Sequence, residues 1–339
     1  MEQRPQDLSR SFETKRRFAS LYASYGMFVV FIAMFAGSAL SAEAFFSAAN
    51  IMNVLRLMSI TAIVACGMTY VLVLGMIDLS VSSVMALSGC TAALVCARTG
   101  STLQGFGAGL LVGALCGTIN GFVIIRTGIP AFIMTFAMQT IARGVVFLIT
   151  NGKPVAGMNA NFKILGQGTP NTLFGVEIPL IGGVPLPIYV MALVFLVGWV
   201  ILNKTRFGRY VYATGGNTQA ARASGVRTNS IVFRSFVFTG LLAALSGIIL
   251  MSRMNSGQPQ GAMNYEFDAI SACVVGGTSL MGGSGTLGGT FIGCCIIAIV
   301  NNMLNLRGIS TYWQMVVRGL IIVAAVIIDY KTKALLQKK

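Results

Sequence analysis

Apolar residues run almost unbroken along most of this chain, in stretches separated by short polar or glycine-rich breaks. Several stretches reach the roughly 20 residues that a helix needs to cross a bilayer. The pattern predicts ten membrane spans, at about 22–41, 54–75, 79–98, 103–125, 130–150, 186–203, 230–251, 267–282, 286–305 and 312–329. The eighth is short and glycine-rich. The fold class expected is an all-α polytopic membrane protein: a basic tail over 1–21, a transmembrane domain over 22–330 and a second tail over 331–339. Two connections are long. The 151–185 segment is polar and rich in Gly and Pro, either a cap over one mouth or a disordered link; the other runs over 203–230.

Charge orients the spans. With the amino terminus inside, the cytoplasmic segments hold Arg4, Arg10, Lys15, Arg16, Arg17, Arg126, Lys204, Arg206, Arg209, Arg222, Arg227, Arg234, Lys331, Lys333, Lys338 and Lys339. The opposite side holds only Arg98, Lys153, Lys163, Arg253 and Arg307. This asymmetry is the one expected when positive loops stay inside, and it places both termini in the cytoplasm. The apolar run from Tyr25 to Leu40 is followed by SAEAFF, so it reads as an uncleaved first span. Arg143 and Arg318 fall within or near spans, where reaching to the head groups is the plainer reading and facing a dimer axis the other.

Composition narrows the chemistry. Only 10% of the 339 residues are charged, against about 25% in a soluble domain. The bases behind the net charge of +15 sit mostly in the tails and in a few connections between spans, which argues against nucleic acid as a partner. There is no histidine, which removes the commonest general base and zinc ligand, and no metal site is expected. Seven cysteines, an odd number without metal spacing, lie in apolar runs and read as small buried hydrophobes. The 40 glycines suit helices packed backbone to backbone in lipid.

Gly283-Ser284-Gly285-Thr286-Leu287-Gly288 spells GxGxxG, but it lacks the strand before it and the acidic residue after it that a dinucleotide site requires. No Walker sequence occurs either. These glycines are expected to let two helices meet closely around a turn. A faint echo links Ala62-Ile63-Val64-Ala65-Cys66 with Ala269-Ile270-Ser271-Ala272-Cys273, either chance or a trace of internal duplication.

Asp78, in the apolar run VLVLGMIDLSVSSVMAL, has two readings. It lies between the second and third spans, where with Ser80 it could hold a structural turn by capping the following helix. It could also be a proton or cation site. In the 203–230 connection, Gly215 and Gly216 break the chain, Asn217 or Thr218 caps, and a short helix runs to Ser224 before Gly225 stops it. Ala220, Ala221 and Ala223 give it a small, smooth face beside Arg222. A plain basic connector is the alternative. Asn120, Gln139, Asn301 and Asn302 are candidates for a solute pathway, and each could equally be an interhelical hydrogen bond.

The segments GMTYVLVLGMIDLSVSSVMALSG, YATGGNTQAARASGV and GAMNYEFDAISACVVGGTSLMGGSGTLGGTFIG resemble the signature segments of bacterial carbohydrate ABC-importer permeases, most closely the ribose type. The likeness covers about 45–330 in order and spacing. Met76 stands where these permeases often have a second glycine, and Ser82-Ser83 replaces a Val-Gly-Ser-like pattern. The resemblance implies an inner-membrane pore formed by two copies, a cytoplasmic ATPase and a periplasmic sugar-binding protein. ATP and magnesium would sit in the ATPase and no cofactor on this chain. It also implies that Gly215, Gly216, Asn217, Ala220, Ala221, Arg222, Ser224 and Gly225 form the element that couples to the ATPase.

The function expected is therefore a non-catalytic permease subunit of an ATP-driven importer for ribose or a related monosaccharide. An ion-coupled secondary sugar carrier working alone is the alternative. An intramembrane enzyme finds no histidine and no paired catalytic carboxylates to work with.

Overall fold

A computed structural model describes residues 31–32, 35–36, 43–179 and 181–337. The expected first span and the amino-terminal tail fall largely outside these residues. Among the described residues there is no strand; one isolated antiparallel bridge joins Val155 to Gly257. The elements that shape the bundle are α1 (Ala48–Val73), α2 (Val81–Thr99), α3 (Thr102–Thr127), α4 (Ala131–Thr150), α5 (Leu186–Lys204), α6 (Arg206–Gly216), α7 (Thr218–Ala223), α8 (Thr228–Met254), α9 (Tyr265–Val275), α10 (Leu287–Leu306) and α11 (Thr311–Gln337). Seven of them, α1 to α5, α8 and α10, are long and apolar enough to cross a membrane. The apolar part of α11 is shorter, Thr311–Ala324.

Side-chain hydroxyls start several of these helices. Ser47 accepts from the Asn50 N–H at 3.2 Å, Ser101 from Gln104 at 3.3 Å and Thr286 from Gly289 at 3.0 Å. Each satisfies one of the orphan donors of a first turn. The start of α1 at Ala48 lies six residues before the expected edge, because Ser47 rather than the hydropathy rise sets it.

The eighth expected span, 267–282, is corrected. Its helix α9 has 11 residues, about 16 Å long. That is roughly half of the 30 Å hydrocarbon core. Gly276, Gly277, Gly282, Gly283 and Gly285 follow at once, and a run this rich in glycine cannot hold a helix.

The most deeply buried of the seven long apolar helices is α8, which packs on α1, α2 and α3. Close packing depends on missing side chains: a Cβ on Gly113 of α3 would collide with the Gly240 carbonyl of α8, and one on Gly240 with that of Gly113. Hydroxyls then bond across the gap, Ser246 to the Ile60 carbonyl at 2.8 Å and Thr239 to the Gly67 carbonyl at 3.0 Å. Such bonds satisfy polar groups where no water is available. The large apolar side chains of α4 and α5, among them Phe136, Leu148, Leu193 and Leu196, point outward, as contact with lipid requires.

Described residues of the 151–185 segment pack against the bundle. Phe162 is fully buried, its carbonyl accepts from Ser252 at 2.6 Å, and the Gly166 N–H donates to the same hydroxyl at 2.8 Å. This segment is thereby pinned to the end of α8 opposite the basic 203–230 connection. All seven cysteines are free, and six are buried.

Candidate functional site

Two polar regions lie at opposite ends of the helix bundle. At the basic end, α6 does not break at Gly215-Gly216 as the sequence suggested; it runs through both. The break comes at Asn217, whose extended backbone turns the chain and whose Oδ1 accepts from the Ala220 N–H at 2.9 Å. Eight residues later Gly225, at φ +82°, closes α7, and the Val226 N–H reaches back to the Ala221 carbonyl at 3.0 Å. Arg222 ties α7 to the first turn of α8, donating to Thr228 Oγ1 at 2.8 Å and Asn229 Oδ1 at 3.3 Å.

The expected contact face of α7 is corrected here. Ala221 is only 5% exposed and packs against its own chain. Every other residue of α7 is exposed, Gln219, Ala220 and Ala223 among them, as is Ser224 after it. The tether from Arg222 to α8 fixes which side of this short helix turns inward, and sequence spacing alone carries no such information.

The end of α6 rests directly on backbone. A Cβ on Gly215 would strike the carbonyl of Val73, the last residue of α1. That same carbonyl accepts the Gly283 N–H at 2.8 Å, and Tyr212 of α6 donates to the Gly285 carbonyl at 2.7 Å. Gly75 (φ +74°) and Gly282 (φ +83°) complete the junction, with a Cβ on Gly282 falling against the Gly75 backbone. Each stands thirteen residues after the alanine that opens its half of the sequence echo, Ala62 or Ala269. Within the echo, Cys273 Sγ lies 3.4 Å from the Ala65 carbonyl. The two echoing segments thus lie side by side, and the glycine breaks after them touch.

Asp78 is 2% exposed in the neighbouring turn. Its Oδ1 accepts from the Ser80 N–H at 2.9 Å and the Ser80 hydroxyl at 2.6 Å, while Asn120 donates to that hydroxyl at 3.0 Å. This is a carboxylate bonding its own backbone two residues on, rather than a cap on the free N–H groups within α2. Thr135 of α4 holds the turn from the other side, accepting from the Leu79 N–H at 3.1 Å and lying 3.2 Å from the Ile77 carbonyl. Burial pushes the Asp78 carboxyl up to about 6, against the pull of its Ser80 bonds.

At the opposite end, a cavity of about 350 Å³ lies between α1, α9, α10 and α11. Asn50 and Asn302 form a reciprocal amide pair across it, at 3.1 and 2.8 Å. Gln314 donates to Asn305 Oδ1 at 2.9 Å. Asn53 and Asn301 also line the cavity, and neither makes a side-chain hydrogen bond among the described residues. In its wall, Arg318 of α11 pairs with Asp268 of α9 at 3.2 Å.

Of the expected pathway residues, Asn301 and Asn302 reach this cavity, whereas Asn120 and Gln139 do not. Asn120 is spent on Ser80, and Gln139 donates to Glu266 of α9 at 2.9 Å. Both arginines correct the expectation that they reach for head groups. Arg143 donates to the Pro259 and Gly261 carbonyls at 2.8 and 3.0 Å, and Arg318 meets a buried carboxylate. A cation at such a place is retained by a partner, and these partners lie too far along the sequence to be read from it. Asn50, Asn53 and Asn305 escaped the sequence reading; their spacing of three or four residues from one another or from Asn301 and Asn302 was the available signal.

The family model for the branched-chain amino acid transport system permease component matches residues 50–326. The chain belongs to this permease family. It is 43% identical to the ribose import permease protein RbsC of Escherichia coli K12 over 288 residues, 85% of this chain and 87% of that one. It is 43% identical to the L-arabinose transport system permease protein AraH of the same strain over 321 residues, 94% of each chain. The RbsC protein of Haemophilus influenzae is 44% identical over 287 residues, 84% of this chain and 86% of that one. No solved structure matches at a significant level. This permease is a multi-pass inner-membrane protein and a non-catalytic transport subunit.

Proposed function

We propose that this permease forms, as a pair of copies, the translocation pore of an ATP-driven importer for a monosaccharide of the ribose or arabinose type. The observation that carries the reading is the 40–44% identity to ribose permeases, together with 43% to an arabinose permease over 94% of both chains. A cytoplasmic ATPase and a periplasmic sugar-binding protein complete the assembly, with ATP and magnesium held by the ATPase.

In this reading the basic end is cytoplasmic, as are both termini, and the chain crosses ten times. The expected first crossing, 22–41, falls largely outside the described residues. The eighth is made by the half-helix α9 and the glycine turn after it. Helix α7 docks on the ATPase through Gln219, Ala220, Ala223 and Ser224, with Gly215, Gly216, Asn217, Arg222 and Gly225 shaping it. When the ATPase moves α7, the push passes along α6 to Gly215 and from there to the ends of α1 and the 276–286 turn. Backbone stacked on backbone leaves no side chain to absorb the displacement. Asp78 and Ser80 keep the adjoining turn rigid.

The test is ATPase activity and uptake by the reconstituted three-component transporter over a panel of D-ribose, L-arabinose, D-glucose and L-leucine. Stimulation by a pentose and not by leucine is the expected result. Stimulation by leucine alone would overturn the sugar assignment. Uptake that persists without ATP and collapses with an uncoupler would instead favour an ion-coupled carrier.

A further inference from the structure

A cavity of about 450 Å³ opens at the basic end of the bundle, between the end of α3, the start of α4 and the connection that carries α6 and α7. Helix α4 begins at Ala131 behind Pro130, which has no side-chain group to cap it. The N–H groups of Ala131 and Phe132 find no partner among the described residues, and both residues border the cavity. A helix start left open in this way attracts an anion, because its free donors and the helix dipole act together.

Two further observations point the same way. Thr214 of α6 also borders the cavity; it is 2% exposed, and its hydroxyl has no hydrogen-bond partner. A ligand that accepts from a stranded hydroxyl removes the cost of leaving it unpaired. Arg222 of α7 supplies the charge. Its Nε and one Nη hold Thr228 and Asn229, which leaves further N–H donors for a ligand. No acidic residue borders the cavity.

We propose that this cavity binds the phosphodiester headgroup of one anionic glycerophospholipid in each copy of the permease, with the phosphate accepting from Ala131, Phe132, Thr214 and Arg222. The inference needs only the membrane-spanning fold and is independent of the sugar.

Place selects a lipid over a soluble phosphate. The cavity lies where α3 ends and α4 begins, at the level of the head groups, and α4 turns exposed Phe132, Ile133 and Phe136 outward to lipid. Ile125 and Ile129 give the cavity an apolar wall, suited to the first methylenes of an acyl chain. Basic pockets between transmembrane helices at a membrane surface are a recurring place for such headgroups. None of Gln219, Ala220, Ala223 and Ser224 borders the cavity, so the lipid does not compete with the proposed docking of the ATPase. A phosphate held there bridges α7 to the start of α4 and steadies the coupling element.

The experiment is thermal melting of the delipidated permease in a neutral detergent. Phosphatidylglycerol is expected to raise the melting temperature at concentrations where phosphatidylcholine and inorganic phosphate do not. Thr214→Val keeps the side-chain shape and drops the hydroxyl. It should melt no lower than the parent without lipid, and should need about tenfold more phosphatidylglycerol for the same gain, the size of one bond to a charged group. Arg222→Gln should weaken the response at least as much. Arg209→Gln, which removes an exposed charge of α6 away from the cavity, should respond like the parent. An unchanged response in Thr214→Val and Arg222→Gln, or an equal loss in Arg209→Gln, would reduce the effect to bulk attraction and overturn the site. A gain from inorganic phosphate as large as that from phosphatidylglycerol would assign the cavity to a soluble anion and overturn the lipid. No response of the parent to phosphatidylglycerol would overturn both.

Discussion

The Gly283 backbone N–H donates to the Val73 carbonyl at 2.8 Å, and Gly215 of α6 rests on that same carbonyl. One oxygen thus joins the end of α1, the glycine turn after α9 and the connection that leads to α7.

Gly215 and its neighbour test this joint. A methyl at Gly215 would collide with the Val73 carbonyl, whereas one at Gly216 meets open space. Both residues lie in the last turn of α6, where alanine is otherwise the better helix former. We expect Gly215→Ala to abolish sugar-stimulated ATPase activity and to lower the melting temperature of the purified permease. Gly216→Ala should keep activity and gain a few tenths of a kcal/mol or more in stability. Equal behaviour of the two variants would dissolve the joint.

Helix α7 separates docking from folding. Ala220 is open and Ala221 is buried, although they are adjacent. Ala220→Trp should leave the isolated permease as stable as the parent and prevent co-purification of the ATPase. Ala221→Trp should destabilise the permease itself, by about 1–3 kcal/mol from overpacking. Thermal melting of the permease alone, followed by pull-down with the ATPase, distinguishes the two.

For Asp78, Asn retains an acceptor toward Ser80 and Ala does not. We expect Asp78→Asn to keep uptake and Asp78→Ala to lose about 1–3 kcal/mol, because the buried Ser80 N–H and hydroxyl lose their acceptor. A folded-state value near 6, above the ordinary 3.8, means that the native protein favours the protonated carboxyl. The parent should therefore gain stability relative to Asp78→Asn as pH falls from 7 to about 4, and the melting-temperature difference across that range measures it. A stable Asp78→Asn protein without uptake would revive the proton-site reading.

The Asp268–Arg318 pair should behave as a unit. Arg318→Ala strands a carboxylate that is 8% exposed and is expected to cost on the order of 3 kcal/mol. The double variant Asp268→Asn/Arg318→Gln, which removes both charges, should recover most of that loss in a melting experiment.

The sequence announced the long helices because lipid demands an apolar surface over a fixed length, and α2 to α5 fall within a few residues of their expected places. It was silent where tertiary partners decide. The inward side of α7 depends on Arg222 reaching Thr228, and the place of the half-buried Arg318 on a carboxylate fifty residues away. Asn50 precedes the expected span at 54–75, and its partner Asn302 is 252 positions distant. Asp78 showed its turn, since the serine that satisfies it is two residues along. The Gly75–Gly282 contact was half visible: the echo put the two glycines in register, but nothing in it said that they touch.

Helix α9 is held at its first turn from two sides, by Gln139 of α4 through Glu266 and by Arg318 of α11 through Asp268. With both ties intact, α4, α9 and α11 form one strut. A pair of spin labels on α4 and α11 should then report a constant separation through the transport cycle, while distances from either helix to α1 change.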